Sequence, residues 1–459
     1  MHLHKLEISS ISSQENIVEN IICKPFRTIH YLGSKLRLLE FIKNVADEAD
    51  PNRGAICDLF AGSGAVSQYL SKDRRVVSVD IQKYSQIICN ALLNPCSDKN
   101  ILKYGDYSRA STIKNSLEKS LKSIIDYEIE VIKNGAVGDL EPVCDFLENG
   151  SLYGAIVDFP AQGAEGLKVA LSETINNLKY FESVTLLATR YFGGIYYSYK
   201  QAVNIDVILY EIEQAPMELR NTLMAALLST ASDLVNTVGK QFAQPIRPRN
   251  KSGEPKAKLI QQLNKDRELC VFDTFESWLH KYIGVNNSTH AHEVLCMDYN
   301  VALDLLPEDV SIVYADPPYT RDHYSRFYHG LETICRNDFP EISKTNIGGT
   351  IRLSRGLYRD NRHQSAFCIK SQAPDAFSNL FKKVAQKGKT LMLSYSPYEK
   401  DNNAHPRVMQ LDDLLSLAKQ HFKNTKSYSP GVFLHSKLNH TEKHLKASDN
   451  GELILVCSN

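Results

Sequence analysis

No apolar run in this 459-residue chain approaches the 18 or more residues that a membrane span requires. The N-terminal stretch "MHLHKLEISS" also lacks the apolar core of a secretory signal. Ten cysteines are scattered without a Cys-x-x-Cys pair, so reduced thiols in a cytoplasmic protein are expected rather than a disulfide scaffold. Net charge is absent too, because 53 Lys and Arg balance 53 Asp and Glu. That balance argues against non-specific coating of nucleic acid or membrane, yet it leaves room for a local basic groove. Metal-site spacing is missing as well. In "HTEKH" the glutamate falls one place too late for HExxH, so His440 and His444 are expected at the surface and no metal is expected.

What is present is a hydrophobic fraction of 43%, enough to fill the cores of two domains or of one domain with a large insertion. Helical spacing runs through Leu38, Leu39, Phe41, Ile42 and Val45. "GAICDLF" follows as a buried strand, "AGSG" as a tight turn, "AVSQYLSK" as a helix start and "RRVVSVDIQ" as a second strand ending at Asp80. Strand, turn, helix, strand is the opening of a doubly wound parallel sheet. From residue 111 to 288 the rhythm turns helical, as in "SLEKSLKSIIDYEIEVIKN" and "MELRNTLMAALLSTASDLVNTVG". Strand signals resume in "HEVLCMDY", "SIVYADPPY", "KTLMLSYS" and "GELILVCS". The expected fold is therefore α/β: one sheet domain formed by residues 24–110 and 289–459, interrupted by a mainly helical insertion at 111–288.

Two stretches carry chemistry. In "DLFAGSGAVS", Gly62 and Gly64 sit between a strand and a helix, where the backbone can approach a ligand closely. Ser67 stands where a nicotinamide fingerprint would place its third glycine. Asp80, at the end of the next strand, suits the hydroxyls of a ribose. "SIVYADPPYT" ends a buried strand with an acid, two prolines and a tyrosine. Asp316 can accept one hydrogen of an exocyclic amino group and the Pro317 carbonyl the other, which turns the nitrogen lone pair toward an electrophile. Pro317 and Pro318 fix the turn, and Tyr319 offers a flat face to an extruded base. Beyond it, Arg321, His323, Tyr324 and Arg326 suit a sugar-phosphate surface. "VDFPAQ" at Asp158 imitates this turn but lacks the second proline and the aromatic, and reads as a loop.

With these motifs the chain resembles the Dam-like alpha group of N6-adenine DNA methyltransferases, which use S-adenosylmethionine. "HYLGSK" looks like the group's N-terminal cofactor motif, falling on Tyr31, Gly33 and Lys35. "FAGSG" looks like the methionine-binding motif, on Phe60, Ala61, Gly62, Ser63 and Gly64. "SVDI" carries the ribose-binding Asp80 with Ile81, and "DPPY" falls on Asp316 to Tyr319. The resemblance covers residues 28–90 and 290–400. It implies a Rossmann-like methyltransferase sheet, with target recognition in the insertion. For the residue beside the cofactor adenine, "LCMDYN" offers Asp298 with Tyr299 and "KYGDYS" offers Asp106; Asp298 is favoured because its strand directly precedes DPPY. In "LMLSYSPY", Ser394 and Tyr395 are candidates to line a base pocket.

The expected partner is double-stranded DNA, with a restriction endonuclease or defence component beside it and no membrane. Two basic segments, "RPRNKSGEPKAK" and "IRLSRGLYRDNRH", are candidates to meet it. Within the insertion, Arg247, Arg249 and Lys251 are the expected DNA contacts. An RNA adenine methyltransferase, a cytosine-N4 enzyme and a catalytically silent binding module remain as alternative readings.

Overall fold

The computed structural model describes residues 25–106, 111–157, 163–179, 186–285, 288–396, 407–430 and 452–459. The Asp158 stretch and the His440 and His444 pair lie outside them. Among the described residues the strands are β1 Ala55–Asp58, β2 Val76–Asp80, β3 Glu293–Cys296, β4 Val310–Ala315, β5 Lys344–Ile347, β6 Thr350–Leu353, β7 Thr390–Tyr395, β8 Asn424–Tyr428 and β9 Leu453–Ser458. Seven of them form one sheet in the order β3-β2-β1-β4-β7-β9-β8, and β5 with β6 makes a separate antiparallel hairpin. β3 to β7 run parallel, and only β9 runs against its neighbours.

Strands β1 and β4 are mainly apolar and buried, because both faces of the sheet are covered. Alternate residues serve opposite faces. Ile56, Ile312, Tyr314 and Met392 pack with Leu39, Ile42 and Val45 of helix α1 (Leu39–Ala49). Cys57, Val313, Leu391 and Leu393 pack on the other side with Phe377, Leu380 and Phe381 of the helix Ala373–Gln386. Chain order reverses between β1 and β4: from β1 the chain moves outward to β2, and from β4 outward to β7. A crevice for a ligand opens at such a switch point, at the carboxyl ends of the strands.

Among the described residues of 111–288 the regular elements are helices, and they share a core with helices that flank the sheet. Helix α2 (Lys83–Leu93), which follows β2, contributes Tyr84, Ile87, Ile88 and Ala91 to a core shared with Ile205, Ile208, Leu223, Ala226, Leu227 and Phe275 of the insertion. Tyr328 and Leu331 of helix α3 (Tyr324–Arg336) enter the same core. A second core lies wholly within the insertion and includes Leu121, Ile124, Val143, Phe146, Leu171 and Val203. At its margin Arg267 is paired with Glu128, each about 4% exposed, while the other Glu128 oxygen accepts the Tyr199 amide at 2.8 Å. Removing one partner of a buried pair leaves an uncompensated charge, which costs roughly 3–5 kcal/mol. Glu128→Ala is therefore expected to destabilise the chain by that amount in chemical denaturation. A loss below about 1 kcal/mol would mean that water reaches the stranded Arg267 guanidinium.

Candidate functional site

Parallel pairing places Asp58 of β1 beside Tyr314 of β4, so the segments that follow, Leu59–Gly64 and Asp316–Tyr319, leave the sheet together. Asp80 ends the neighbouring β2 in register with Cys296 of β3. All three strand ends border one pocket of about 230 Å³. Tyr31, Gly33, Lys35, Phe60, Asp80, Ile81, Asp298, Tyr299, Asp316, Pro317, Pro318, Tyr319, His323 and Tyr324 line it. The structure thus brings together fourteen of the residues singled out in the sequence.

Of the glycine turn Phe60 lines the pocket, whereas Ala61, Gly62, Ser63 and Gly64 do not. Gly62 has φ +53° and Gly64 φ +75°, both in the left-handed region. A Cβ on Gly62 would stand 2.5 Å from the Tyr31 hydroxyl, so this position needs glycine for space as well as for conformation. The Gly62 amide donates to Asp80 Oδ2 at 2.9 Å and the Gln82 amide to Oδ1 at 2.8 Å. Burial pushes the Asp80 carboxyl above the usual carboxylate range, with these two amides pulling the other way. Its remaining lone pairs can still accept hydroxyl groups. Ser63 is tied down through its carbonyl, which accepts the Thr28 hydroxyl at 3.0 Å.

Aromatic rings give the pocket its walls. Tyr31 stacks on Tyr328 with centroids 4.9 Å apart, and Tyr328 in turn meets Tyr84 at 5.5 Å. Phe60, Tyr299 and Phe367 form an aromatic triangle with centroid separations of 5.0 to 5.7 Å. Asp298 caps the helix Tyr299–Asp304 by accepting the Asn300 amide at 2.9 Å. Asp106 is not among the residues lining the pocket.

At the other end Lys35, 7% exposed, bridges two carboxylates: its Nζ lies 2.9 Å from Asp316 Oδ2 and 3.0 Å from Glu452 Oε1. Ser394 donates to the same Glu452 oxygen at 2.7 Å. Burial alone would depress the lysine, but Asp316 and Glu452 outweigh it and keep the ammonium well above its ordinary pKa. Burial raises the Asp316 carboxyl to about 6; Lys35 opposes that rise and Glu452 adds to it. Tyr319 is flanked by Tyr395 at 4.8 Å and by the Arg407 guanidinium at 5.1 Å.

Glu452, which reaches Lys35, and the lining residues His363, Gln364, Ser365, Ala366 and Cys368 are new from the structure. An acid just before a strand, and a polar loop between the β5–β6 hairpin and the helix Ala373–Gln386, carry no distinctive sequence signal. The proposed DNA contacts separate. Arg249 is held by Glu141 at 2.9 Å and Glu148 at 3.2 Å, inside the insertion. Lys251 is exposed in the turn closed by Asn250 and Gly253. Arg247 and Arg321 are exposed, and Arg326 is half-buried. Among the described residues no cluster of three or more His, Cys, Asp or Glu could hold a metal.

Residues 31–122 and 270–394 match the model of the D12 class N6 adenine-specific DNA methyltransferases. The Type II methyltransferase M.CviAII of Paramecium bursaria Chlorella virus 1 is 38% identical over 374 residues, covering 80% of this chain and 83% of that protein. Modification methylase LlaI of Lactococcus lactis subsp. lactis is 24% identical over 404 residues, 85% of this chain and 49% of its own length. The Type II methyltransferase M.FokI of Planomicrobium okeanokoites is 23% identical over 369 residues, 80% of this chain and 44% of its own length. The chain thus spans about half the length of these last two relatives.

Because Lys35 holds the Asp316 carboxyl down, Lys35→Met is expected to move it up from about 6. Carbon-13 NMR of labelled aspartate would read that titration directly. An unmoved midpoint would show that the 2.9 Å contact carries no electrostatic weight.

Proposed function

The chain belongs to the D12 class of N6 adenine-specific DNA methyltransferases, and on that premise we propose that it methylates N6 of an adenine flipped out of double-stranded DNA. The observation that carries this reading is that one pocket joins Asp80 to the Asp-Pro-Pro-Tyr turn. S-adenosylmethionine, when bound, supplies an electrophilic methyl group on a cationic sulfur. The residues fit such a group: Asp80 for ribose hydroxyls, Phe60 and Tyr299 for an adenine ring, and a glycine at 62 where a Cβ would collide with Tyr31.

At the reacting end Asp316 and the Pro317 carbonyl accept the two N6 hydrogens, leaving the nitrogen lone pair free to attack. Methylation makes N6 cationic, and Asp316 Oδ is the adjacent site for the proton it then sheds. A carboxyl raised to about 6 takes up a proton more readily than an ordinary aspartate does near neutral pH. Lys35 remains the ammonium throughout, and Glu452 shares it so that Asp316 is not wholly spent on the ion pair. Tyr319 provides a face for the extruded base, its ring fixed by Tyr395 and Arg407.

Residues 111–288 serve in this reading as the target-recognition insertion of a catalytic domain made from 24–110 and 289–459. The relatives' names describe modification enzymes, which supports a restriction-modification role in the cytoplasm with an endonuclease as partner.

Expression in a methylation-deficient bacterium, followed by single-molecule sequencing of its DNA, tests the reading. A discrete motif modified at adenine and lost in Asp316→Ala is the expected result. Modified cytosine, or unmodified DNA from a folded protein, would reject it. Asp80→Ala is expected to weaken S-adenosylhomocysteine binding in calorimetry by at least tenfold, about 1.4 kcal/mol. Undiminished affinity would remove Asp80 from the ribose role.

A further inference from the structure

Two basic segments far apart in the chain converge on Tyr358. Arg355, exposed, donates to the Ile246 carbonyl at 2.6 Å, which sets it next to the exposed Arg247. The Tyr358 hydroxyl donates to the Ala243 carbonyl, and the Arg362 guanidinium sits 5.0 Å over the Tyr358 ring. Phe242 donates its amide to the Phe327 carbonyl at 2.9 Å, which draws Arg326 to the same place. Charges from Arg326, Arg362, Arg355 and Arg247 all act on the Tyr358 phenol, although its burial is the larger effect.

Two acids stand near these four arginines. Glu148 faces Arg355 but is bound to Arg249, and Asp360 faces Arg362. Buried Nε atoms of Arg326 and Arg362 have no hydrogen-bond partner among the described residues. Both arginines also adjoin the pocket in sequence: Arg326 follows the lining residues Tyr324 and Ser325, and Arg362 precedes the lining residue His363.

We propose that Arg247, Arg326, Arg355 and Arg362, gathered on Tyr358, form a phosphate clamp that seats the nucleic-acid backbone at the rim of the methylation pocket. The clamp rests on the reading of the chain as a DNA enzyme and adds to it the surface the duplex occupies. Guanidinium forks match phosphate oxygens, and contacts of this kind position a duplex without reading its sequence. Arg249 is outside the clamp because Glu141 and Glu148 already hold its guanidinium.

Duplex binding over a salt series separates these roles. Each phosphate contact contributes about 0.9 to the slope of log affinity against log salt. Relative to wild type, Arg247→Gln/Arg355→Gln is expected to lower that slope by about 1.8, equally for unrelated duplex sequences. Arg247→Gln alone is expected to lower it by about 0.9, and Arg249→Gln to leave it unchanged. S-adenosylhomocysteine binding should stay constant in all three, which separates a lost clamp from a lost fold. A full wild-type slope in the double variant, or a loss confined to one DNA sequence, overturns the clamp while leaving the methyltransferase reading intact. Wild-type protein that neither binds duplex DNA nor methylates it overturns both.

Discussion

Parallel pairing of β1 with β4 is the constraint on which the site depends. The glycine turn and the Asp-Pro-Pro-Tyr turn are separated in the chain by the entire insertion, and each alone is an ordinary loop. Register makes them one site: Asp58 opposite Tyr314 forces both turns out at the same edge, and β2 beside β1 delivers Asp80 to it. Because the side-chain period of a strand is two, a one-residue slip would exchange Ile312 and Tyr314 with Val313 across the sheet. The two covered faces forbid that slip. The helices Leu39–Ala49 and Ala373–Gln386 on the two faces of the sheet therefore hold the site indirectly, by fixing register.

Electrostatics inside the pocket follow from an unequal count. One lysine stands between the half-buried Asp316 and the buried Glu452, so with all three ionised the group carries a net negative charge where a simple Lys35–Asp316 pair would be neutral. Desolvation makes isolated charges costly, and the shared ammonium with the Ser394 hydroxyl reduces that cost. The residual negative charge suits a cationic methyl donor and an amine that becomes cationic as it reacts. Glu452 also prevents Asp316 from becoming a saturated salt-bridge partner, since Lys35 divides its hydrogen bonds between them.

Much of this was readable from the sequence, for identifiable reasons. β1, β2, β3, β4, β7 and β9 announce themselves as apolar runs, and the strand that ends in two prolines has no other reading. The hairpin β5–β6 and the edge strand β8, "NTKSY", are polar and exposed, so no hydrophobic pattern marks them. Nearest-motif reasoning found the residues on strand ends but missed those that close the pocket from elsewhere. Glu452 reaches Lys35 only because β9 inserts antiparallel between β7 and β8, a fact of sheet order that its neighbours in sequence do not encode. Phe367 and its flanking loop meet Phe60 through tertiary packing alone. Ser394 and Tyr395, candidates from the sequence to line a base pocket, are not among its lining residues; they meet Glu452 and Tyr319 instead.

The arginines show the same limit in charge rather than in shape. "RPR" in the insertion presents two cations in three residues, and the fold spends them differently. Arg247 projects outward, while Arg249 turns back to Glu141 and Glu148. In "RGLYRDNR", Arg359 is 2% exposed and paired with Asp338 at 2.7 Å, whereas Arg355 and Arg362 join Tyr358. A run of positive charge therefore fixes how many cations are available but not which side of the surface they face. Arg249 and Arg359 brace the loops from within, and that bracing holds Arg247, Arg355 and Arg362 in one neighbourhood. A chain with no net charge can in this way present a cationic rim, because Glu141, Glu148 and Asp338 are held by arginines that do not join it.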